Sequence, residues 1–425
     1  MLIVGGGPAG TSAAIRLARA GRRVTIVERL AGAPKPCGGL LTPRAVTALA
    51  DLHVDLPPDA HRVDFVRFTY QTDGEHRTSK RADLPSTSIR WPRGDAVADH
   101  GVVVPRHVLD HHLLEEATSL GVQVLDGHTA TAPIVERGFV RGAHVTDSPG
   151  TSFEYRASYV LVADGANSRF GRALGTFRRP SWPHAMALTT SYRSGFHDAS
   201  EIELVFGLRD RAGTPVTGYG FMFPRGDGTT NVGVVVMSTS PSFQVINLPH
   251  LLEQLEIDHA DRWRLDRSTD TTVSKHAITA NVGGRIPMGG SVGPQAGPTF
   301  LVVGDAAGAA NPLSGAGIEY AIETGTMAGE VMAEALAAGS ATALQRYPKA
   351  VEDRYGSYFK VGRLTTRLLG NPALHRRVSR FVASNATAAE AYLRLGSNQL
   401  RTGSLGPAEL AYRAGRAISL VAPDS

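Results

Sequence analysis

The sequence predicts an α/β fold with a Rossmann-like parallel sheet, a second, antiparallel sheet and a helical C-terminal segment. Three observations predict it: a β-α-β unit in the first thirty residues, a two-residue periodicity over 185–238, and a largely helical pattern beyond residue 342. Strands that alternate with helices favour a parallel sheet, whereas consecutive alternating strands favour an antiparallel one. At 425 residues, the chain is long enough for two or three such units.

The first β-α-β unit contains a Gly-x-Gly-x-x-Gly turn between an apolar strand and an Ala-rich helix. In this turn the glycines permit a sharp bend, close approach of a pyrophosphate and tight packing of helix on strand. The helix N-terminus offers free N–H groups to the phosphates, and an acid about twenty residues on accepts hydrogen bonds from a ribose. The predicted dinucleotide contacts are Gly5, Gly7, Pro8, Ala9, Gly10, Glu28 and Arg29.

Two further strands, at 159–163 and 299–303, end in Gly/Asp turns. Ligands of open parallel sheets lie at the carboxyl ends of the strands. Asp305 is positioned to bond the ribityl hydroxyls of a flavin dinucleotide, and a helix that starts near 315–317 would direct its positive end at the flavin N1–C2=O edge. The predicted contacts in these turns are Asp164, Gly165, Gly304, Asp305, Pro312, Gly315, Gly317 and Ile318.

Composition and charge narrow the class of protein. A single cysteine, Cys37, excludes an intrachain disulfide and favours a reducing compartment. No apolar run is long enough to span a membrane, and the fifteen histidines show no metal-ligand spacing, so no metal is predicted. The net charge is +5, and residues 351–425 alone carry a surplus of six. That surplus indicates either contact with an anionic surface or an ordinary solvated helical face.

The three turns together resemble the FAD fold of the p-hydroxybenzoate hydroxylase type, within the glutathione reductase class of Rossmann-like domains. Two motifs then resemble geranylgeranyl reductases, and menaquinone reductases of actinobacteria in particular: Lys35-Pro36-Cys37-Gly38-Gly39, and Tyr219-Gly220-Phe221-Met222-Phe223-Pro224. Arg106-His107-Val108-Leu109-Asp110 is similar to a third element of that family. The resemblance implies that Arg106, Cys37 and Gly38 contact FAD and that Tyr219 and Phe221 lie over the substrate cavity. Phe221 replaces the family's tryptophan, which leaves the exact lipid open.

The resemblance implies an FAD-dependent reductase of isolated C=C bonds in a polyprenyl chain, with Tyr219, Phe221 and Cys37 as candidate catalytic residues. The alternatives are an FAD monooxygenase or halogenase and a flavoprotein that only relays electrons. The donor is either NAD(P)H or a ferredoxin-type reductant. We expect a cytoplasmic monomer, with peripheral contact to the inner face of the plasma membrane, and no nucleic acid partner.

The predicted division of the chain is discontinuous. Residues 1–60, 100–180 and 275–345 form the FAD-binding domain, 61–99 and 181–274 form the antiparallel substrate domain, and 346–425 form the basic C-terminal segment.

Overall fold

A five-stranded parallel sheet carries all three predicted turns at its carboxyl edge. The structure is a computed structural model that describes residues 1–33, 35–71, 84–94, 98–266, 281–401 and 403–422. The strands, in spatial order, are β20 (Phe300–Val302), β12 (Val160–Val162), β1 (Leu2–Val4), β2 (Thr25–Glu28) and β8 (Gln123–Asp126). Because β20, β12 and β1 are neighbours, the turns that follow them meet at one place.

Both faces of this sheet are covered. Ile3 and Ile26 face a helical layer, whereas Leu2 and Val4 face a small antiparallel sheet, as expected for alternating side chains of a buried strand. The helices on this side are α1 (Pro8–Arg19), α2 (Pro43–Asp51), α3 (Arg106–Ser119) and α6 (Ile318–Ala338). The small sheet consists of β9 (Thr129–Glu136), β10 (Phe139–Thr146) and β11 (Ser152–Arg156). The short helix α4 (Arg169–Ala173) follows β12.

Helices α1 and α6 pack with their backbones almost in contact. A Cβ on Gly325 would stand 2.2 Å from the Ala9 carbonyl oxygen, and a Cβ on Gly329 would stand 2.9 Å from that of Ala13. Only glycine fits at such distances, because any side chain atom would overlap the backbone of α1. In this register the N-terminus of α6 extends about two turns beyond that of α1, since Gly325 follows the start of α6 at Ile318 by seven residues whereas Ala9 is the second residue of α1.

Within the described residues, the second sheet has seven strands and is antiparallel except for one parallel pair, β5 (Phe65–Tyr70) with β15 (Glu201–Phe206). Its spatial order is β18 (Val282–Pro287), β14 (His184–Arg193), β17 (Thr229–Met237), β16 (Gly218–Pro224), β15 (Glu201–Phe206), β5 (Phe65–Tyr70) and β6 (Ser86–Arg90). Helix α5 (Leu248–His259) covers one face. The predicted hairpin turn at 225–228 joins β16 to β17.

Strand pairing between distant residues makes two elements of the structure differ from the sequence-based prediction. The segment 62–70, for which the sequence predicts strands and loops of a separate layer, divides at Asp64 into two strands of different sheets, β4 (His61–Val63) and β5. β4 pairs with β7 (Gly101–Val103), which also pairs with β3 (Leu40–Leu41). β18 lies within 275–345, which the sequence assigned to the FAD-binding domain, yet all six of its residues pair with β14 of the second sheet. Of the predicted strand region 77–89, residues 77–83 lie outside the described part of the chain.

The C-terminal segment is helical, as predicted. Its helices are α7 (Arg346–Val351), α8 (Ser357–Leu369), α9 (Pro372–Ser384), α10 (Ala386–Gly396) and α11 (Pro407–Val421), and a π-helical turn at Glu352–Gly356 joins α7 to α8. Outside this segment, β13 (Phe177–Arg178) and β19 (Val292–Gly293) form a short antiparallel pair. The predicted break at 370–372 is present, and the sequence analysis missed a second one at Asn385, whose side chain accepts a hydrogen bond from the Ala388 N–H and caps α10. No described helix combines the length and apolarity needed to cross a bilayer.

The α1–α6 contact gives a direct test of the packing. We expect Gly325→Ala to destabilise the protein by about 1–3 kcal/mol, the usual range for forcing a methyl group into a filled core. Gly396→Ala is the matched control, because a Cβ there would meet open space at the end of α10. Chemical unfolding of both variants measures the difference, and equal midpoints for Gly325→Ala and the wild type would contradict this packing.

Candidate functional site

The turn between β1 and α1 forms a cradle bounded by backbone N–H groups. The Gly6 N–H donates to the Glu28 carboxylate at 2.7 Å, and the Leu30 N–H donates to its other oxygen at 3.1 Å. This orients Glu28 at the end of β2 while α1 begins at Pro8 with no side-chain cap on its free N–H groups. The end of α1 is therefore electropositive and open, which suits a phosphate.

Gly7 and Gly10 serve different purposes in this turn. A Cβ on Gly10 would stand 2.0 Å from the Gly5 carbonyl oxygen, so the fold itself requires glycine there. Gly7 has an ordinary φ of −78°, and a Cβ on it would meet nothing closer than the Arg106 guanidinium at 3.9 Å. No protein atom explains the glycine at position 7, so the space beside it is a cradle that a side chain would fill.

Arg106, the first residue of α3, stands over this cradle. Its guanidinium donates to both oxygens of Asp110, at 3.0 and 3.1 Å, and its side chain is 18% exposed. Burial lowers the pKa of Arg106, but the Asp110 carboxylate and the neighbouring Cys37 thiol outweigh burial, so the pKa is raised. The residue is thus a fixed cation between the phosphate turn and the loop that contains Cys37.

The turn after β20 places a carboxylate opposite that cation. The Thr324 hydroxyl of α6 accepts a hydrogen bond from the Gly304 N–H at 3.1 Å, which fixes the turn. Burial raises the pKa of Asp305 to about 6, while nearby Arg106 lowers it. No described residue donates a hydrogen bond to the Asp305 carboxylate. A half-buried acceptor without donors among the described residues fits the hydroxyl groups of a polyol such as a ribityl chain.

The loop between this turn and α6 is held from several directions. Asn311 donates to the Tyr358 hydroxyl and to the Gly396 carbonyl, each at 2.9 Å, and so ties the loop to α8 and α10. The Thr366 hydroxyl donates to the Pro312 carbonyl at 2.5 Å, and the Tyr219 hydroxyl donates to the Ser314 carbonyl at 2.5 Å. The start of α6, at Gly317 and Ile318, is consequently fixed by the C-terminal helices and by β16.

Cys37, Gly38 and two aromatic rings meet on the other side of the site. Phe221 and Phe223 stack with centroids 4.5 Å apart. A Cβ on Gly38 would lie 2.5 Å from the Phe223 ring and 2.9 Å from Phe221, so the loop rests directly on both rings. The Gly39 N–H points to the Cys37 sulfur at 3.4 Å. The two motifs that lie about 180 residues apart in the sequence therefore form one surface.

The remaining predicted residues fall into three groups. Pro8, Ala9, Gly304, Gly315 and Ile318 lie in or beside the turns already described. Asp164 accepts hydrogen bonds from the Ser168 hydroxyl at 2.7 Å and the Phe170 N–H at 2.9 Å, so its carboxylate closes its own turn, where Gly165 has a φ of +76°. Arg29 is exposed at the end of β2. The roles of these residues toward a cofactor stay predictions.

The sequence is similar to an FAD binding domain and to two named reductases. Residues 1–201 match the family model of an FAD binding domain. The chain is 32% identical over 374 residues to the menaquinone reductase of Mycobacterium tuberculosis, which covers 88% of this chain and 84% of the relative. It is 30% identical over 376 residues, 85% of both proteins, to a digeranylgeranylglycerophospholipid reductase of Methanothermobacter thermautotrophicus.

The chain belongs to the geranylgeranyl reductase family of FAD-dependent oxidoreductases.

Solved structures agree with this fold. A geranylgeranyl bacteriochlorophyll reductase-like protein of Thermoplasma acidophilum aligns with a TM-score of 0.71 at 23% identity, over 98% of this chain and 95% of that one. A flavin-dependent brominase aligns with a TM-score of 0.65 at 17% identity, over 99% of this chain and 98% of its own. At these identities, the likeness concerns the fold and not the reaction.

The residues of this flavoprotein fit FAD. The Gly7 cradle with Arg106 suits the pyrophosphate, and the unpaired Asp305 carboxylate suits the ribityl hydroxyls. The fixed N-terminus of α6 suits the electron-rich edge of the flavin. Among the residues that the structure describes, no cluster of His, Cys, Asp or Glu side chains could hold a metal ion.

The structure adds residues that the sequence analysis missed. Tyr392 of α10 lies close enough to Tyr219 to raise its pKa, although burial is the larger cause. Arg225, in the β16–β17 turn, lies near Cys37, and burial lowers its pKa. Neither residue can be identified from its neighbours in the sequence, because each reaches the site only through the pairing of distant elements. Glu319, an acid inside an apolar helix pattern, was visible in the sequence but was not singled out.

The contrast between Gly7 and Gly10 separates cofactor binding from folding. We expect Gly7→Ala to leave the unfolding midpoint of the apoprotein unchanged and to weaken FAD binding at least about tenfold, a cost of about 1.4 kcal/mol. Gly10→Ala should instead destabilise the apoprotein, since its Cβ would overlap the Gly5 carbonyl. Titration of apoprotein with FAD and chemical unfolding give the two readouts; unchanged FAD affinity in Gly7→Ala would count against the cradle.

Proposed function

We propose that this protein saturates isolated C=C bonds in a polyprenyl chain, the tail of menaquinone or a geranylgeranyl lipid. The observation that carries the proposal is the contact of Gly38 with Phe221 and Phe223, which brings the two reductase-like motifs together beside the FAD site. The relatives named as menaquinone and digeranylgeranylglycerophospholipid reductases support it. When bound, FAD supplies the hydride from its N5 position to one alkene carbon.

The protein's part in this reaction is positioning and exclusion of water. An isolated alkene has no carbonyl group to polarise, so an electrophilic side chain would contribute little. Phe221 and Phe223 form an apolar wall, and partly buried Tyr219, Ile286 and Tyr392 pack against the same core. Apolar walls favour a prenyl chain and keep water from the reacting carbons.

We propose a positioning role for Tyr219. Its hydroxyl proton is engaged with the Ser314 carbonyl, and burial raises the pKa of Tyr219 above its ordinary value. The side chain therefore holds the loop before α6 and is a poor proton donor in this arrangement. Cys37 remains a candidate for contact with the flavin or substrate through its place beside Arg106.

The mass of the product distinguishes this function from its alternatives. With chemically reduced holoenzyme and menaquinone under anaerobic conditions, we expect a product heavier by two hydrogens per double bond. A product with added oxygen that forms only in air would instead make the protein a monooxygenase. Reoxidation of the flavin by a partner without any lipid product would indicate electron relay. Heat-denatured protein with free FAD is the control for nonenzymatic reduction.

We further propose that α9 contacts an anionic membrane in which the lipid resides. Its inner residue Val378 packs against the core that contains Phe221, whereas Leu374, Arg377, Arg380 and Phe381 form an exposed outer face, here called the α9 outer face. Half of the large apolar side chains that are exposed in the described residues lie beyond residue 367. An exposed face with both cationic and apolar residues suits a bilayer with anionic headgroups.

Liposome sedimentation tests the α9 outer face. We expect the double change Leu374→Ser and Phe381→Ser to weaken binding at least about tenfold, since each buried apolar side chain contributes about 1.5–3 kcal/mol. The pair Arg377→Glu and Arg380→Glu should abolish the preference for anionic over zwitterionic vesicles and the dependence on salt. Phe153→Ser on β11 is the control, because Phe153 is as exposed as Leu374, at 39%. Unchanged sedimentation of both double variants would refute this surface.

A further inference from the structure

Glu319 is a buried acid that the proposed reaction does not yet use. It lies in the first turn of α6, is 1% exposed, and neither oxygen of its carboxylate has a hydrogen-bond partner of acceptable geometry among the described residues. An ionised carboxylate without a partner is strongly disfavoured in a protein interior. The side chain therefore favours its protonated form far more than a surface glutamate does.

The neighbouring cation is committed to another acid. Arg44 of α2 donates to both oxygens of Glu323, at 2.9 and 2.8 Å, and the Tyr355 hydroxyl donates to Glu323 as well. Glu323 lies one turn after Glu319 on α6, holds Arg44 through two hydrogen bonds, and also lies 3.5 Å from the Arg354 guanidinium. Glu319 is left with the attraction of Arg44 but without its hydrogen bonds.

The charged and titratable groups around Glu319 come from three helices. Burial raises the pKa of Glu319 to about 7 and Glu323 raises it further, whereas its own backbone N–H, Arg44 and the Thr42 hydroxyl before α2 lower it. Burial raises the pKa of Tyr320 on α6 and of Tyr358 on α8, and the charge of Glu319 raises both further. The group is thus set to change its protonation near neutral pH in response to a modest change in local charge.

The position of Glu319 connects it to the FAD site. Gly317, the N-cap of α6, is close to Asp305, since a Cβ on Gly317 would lie 3.5 Å from the Asp305 carboxylate. On its other side, Glu319 approaches Thr42, which ends the segment that begins at Cys37. Glu319 therefore lies between the helix end that faces the flavin and the loop that lies beside it.

We propose that Glu319 binds a proton when FAD accepts two electrons, so that the reduced site holds two electrons and two protons. The inference rests on the proposed function, because these are the two hydrogens that saturate one C=C bond. Two electrons from a reduced nicotinamide or a ferredoxin-type donor, with one proton at N5, leave one negative charge on the cofactor. That charge raises the proton affinity of a carboxylate nearby, and the second proton comes from solvent.

The dependence of the FAD midpoint potential on pH measures this proton. Between pH 7.5 and 9, we expect the slope for the wild-type holoenzyme to be twice that of Glu319→Gln, since two protons accompany two electrons in one case and one in the other. Below pH 6, the oxidised protein already carries the proton, so the two slopes should converge. Glu330→Gln is the matched control, because Glu330 lies on the same helix and pairs with Arg16 at the surface.

Equal slopes for the wild type and Glu319→Gln between pH 7.5 and 9 would overturn the proposal. A second readout is the stability of the apoprotein. Because the folded pKa of Glu319 is raised above its ordinary 4.5, its contribution to stability is lost as pH rises through about 7. Glu319→Gln should therefore gain more in unfolding midpoint over the wild type at pH 8.5 than at pH 5, because the loss accrues between pH 4.5 and about 7. Neither readout uses a lipid, so failure of the reductase assay and failure of this inference are distinguishable.

Discussion

The backbone contact between α1 and α6 is the constraint on which the site depends. Gly325 and Gly329 let α6 approach the carbonyls of Ala9 and Ala13, a distance that no larger residue would allow. The two helices run parallel in this contact, and they follow β1 and β20, the two strands that flank β12 in the parallel sheet. The N-terminus of α1 is electropositive and open beside the phosphate cradle, and the loop before α6 lies at the same edge of the sheet.

The second sheet and the C-terminal helices act on the FAD site by fixing its loops. Tyr219 from β16 and Thr366 from α8 donate to carbonyls of the loop before α6, and Asn311 ties that loop to α10. The Cys37–Gly39 loop rests on Phe221 and Phe223. Residues of β16 therefore contact both the loop before α6 and the Cys37–Gly39 loop.

The charges of the site are arranged unevenly. Arg106 is paired with Asp110 and Arg44 with Glu323, so these cations are fixed and permanently charged. Asp305 and Glu319 lack such partners, and burial raises the pKa of both toward neutrality. A site with fixed cations and with carboxyl groups that can change protonation near neutral pH can accept additional negative charge with little rearrangement, because a bound proton compensates for that charge.

The amino-acid sequence alone predicts those elements that depend on residues close together in the chain. The β1–α1–β2 unit, the β16–β17 hairpin and the full length of α6, Ile318–Ala338, follow from periodicity and turn residues that are close together in the chain. Three features are visible only in the folded structure: the separation of β4 from β5, the pairing of β18 with β14, and the presence of Tyr392 and Arg225 at the site. Their positions depend on pairing between residues far apart in sequence. The unpaired state of Glu319 is of the same kind, since it depends on which of two acids captures Arg44 in the folded core.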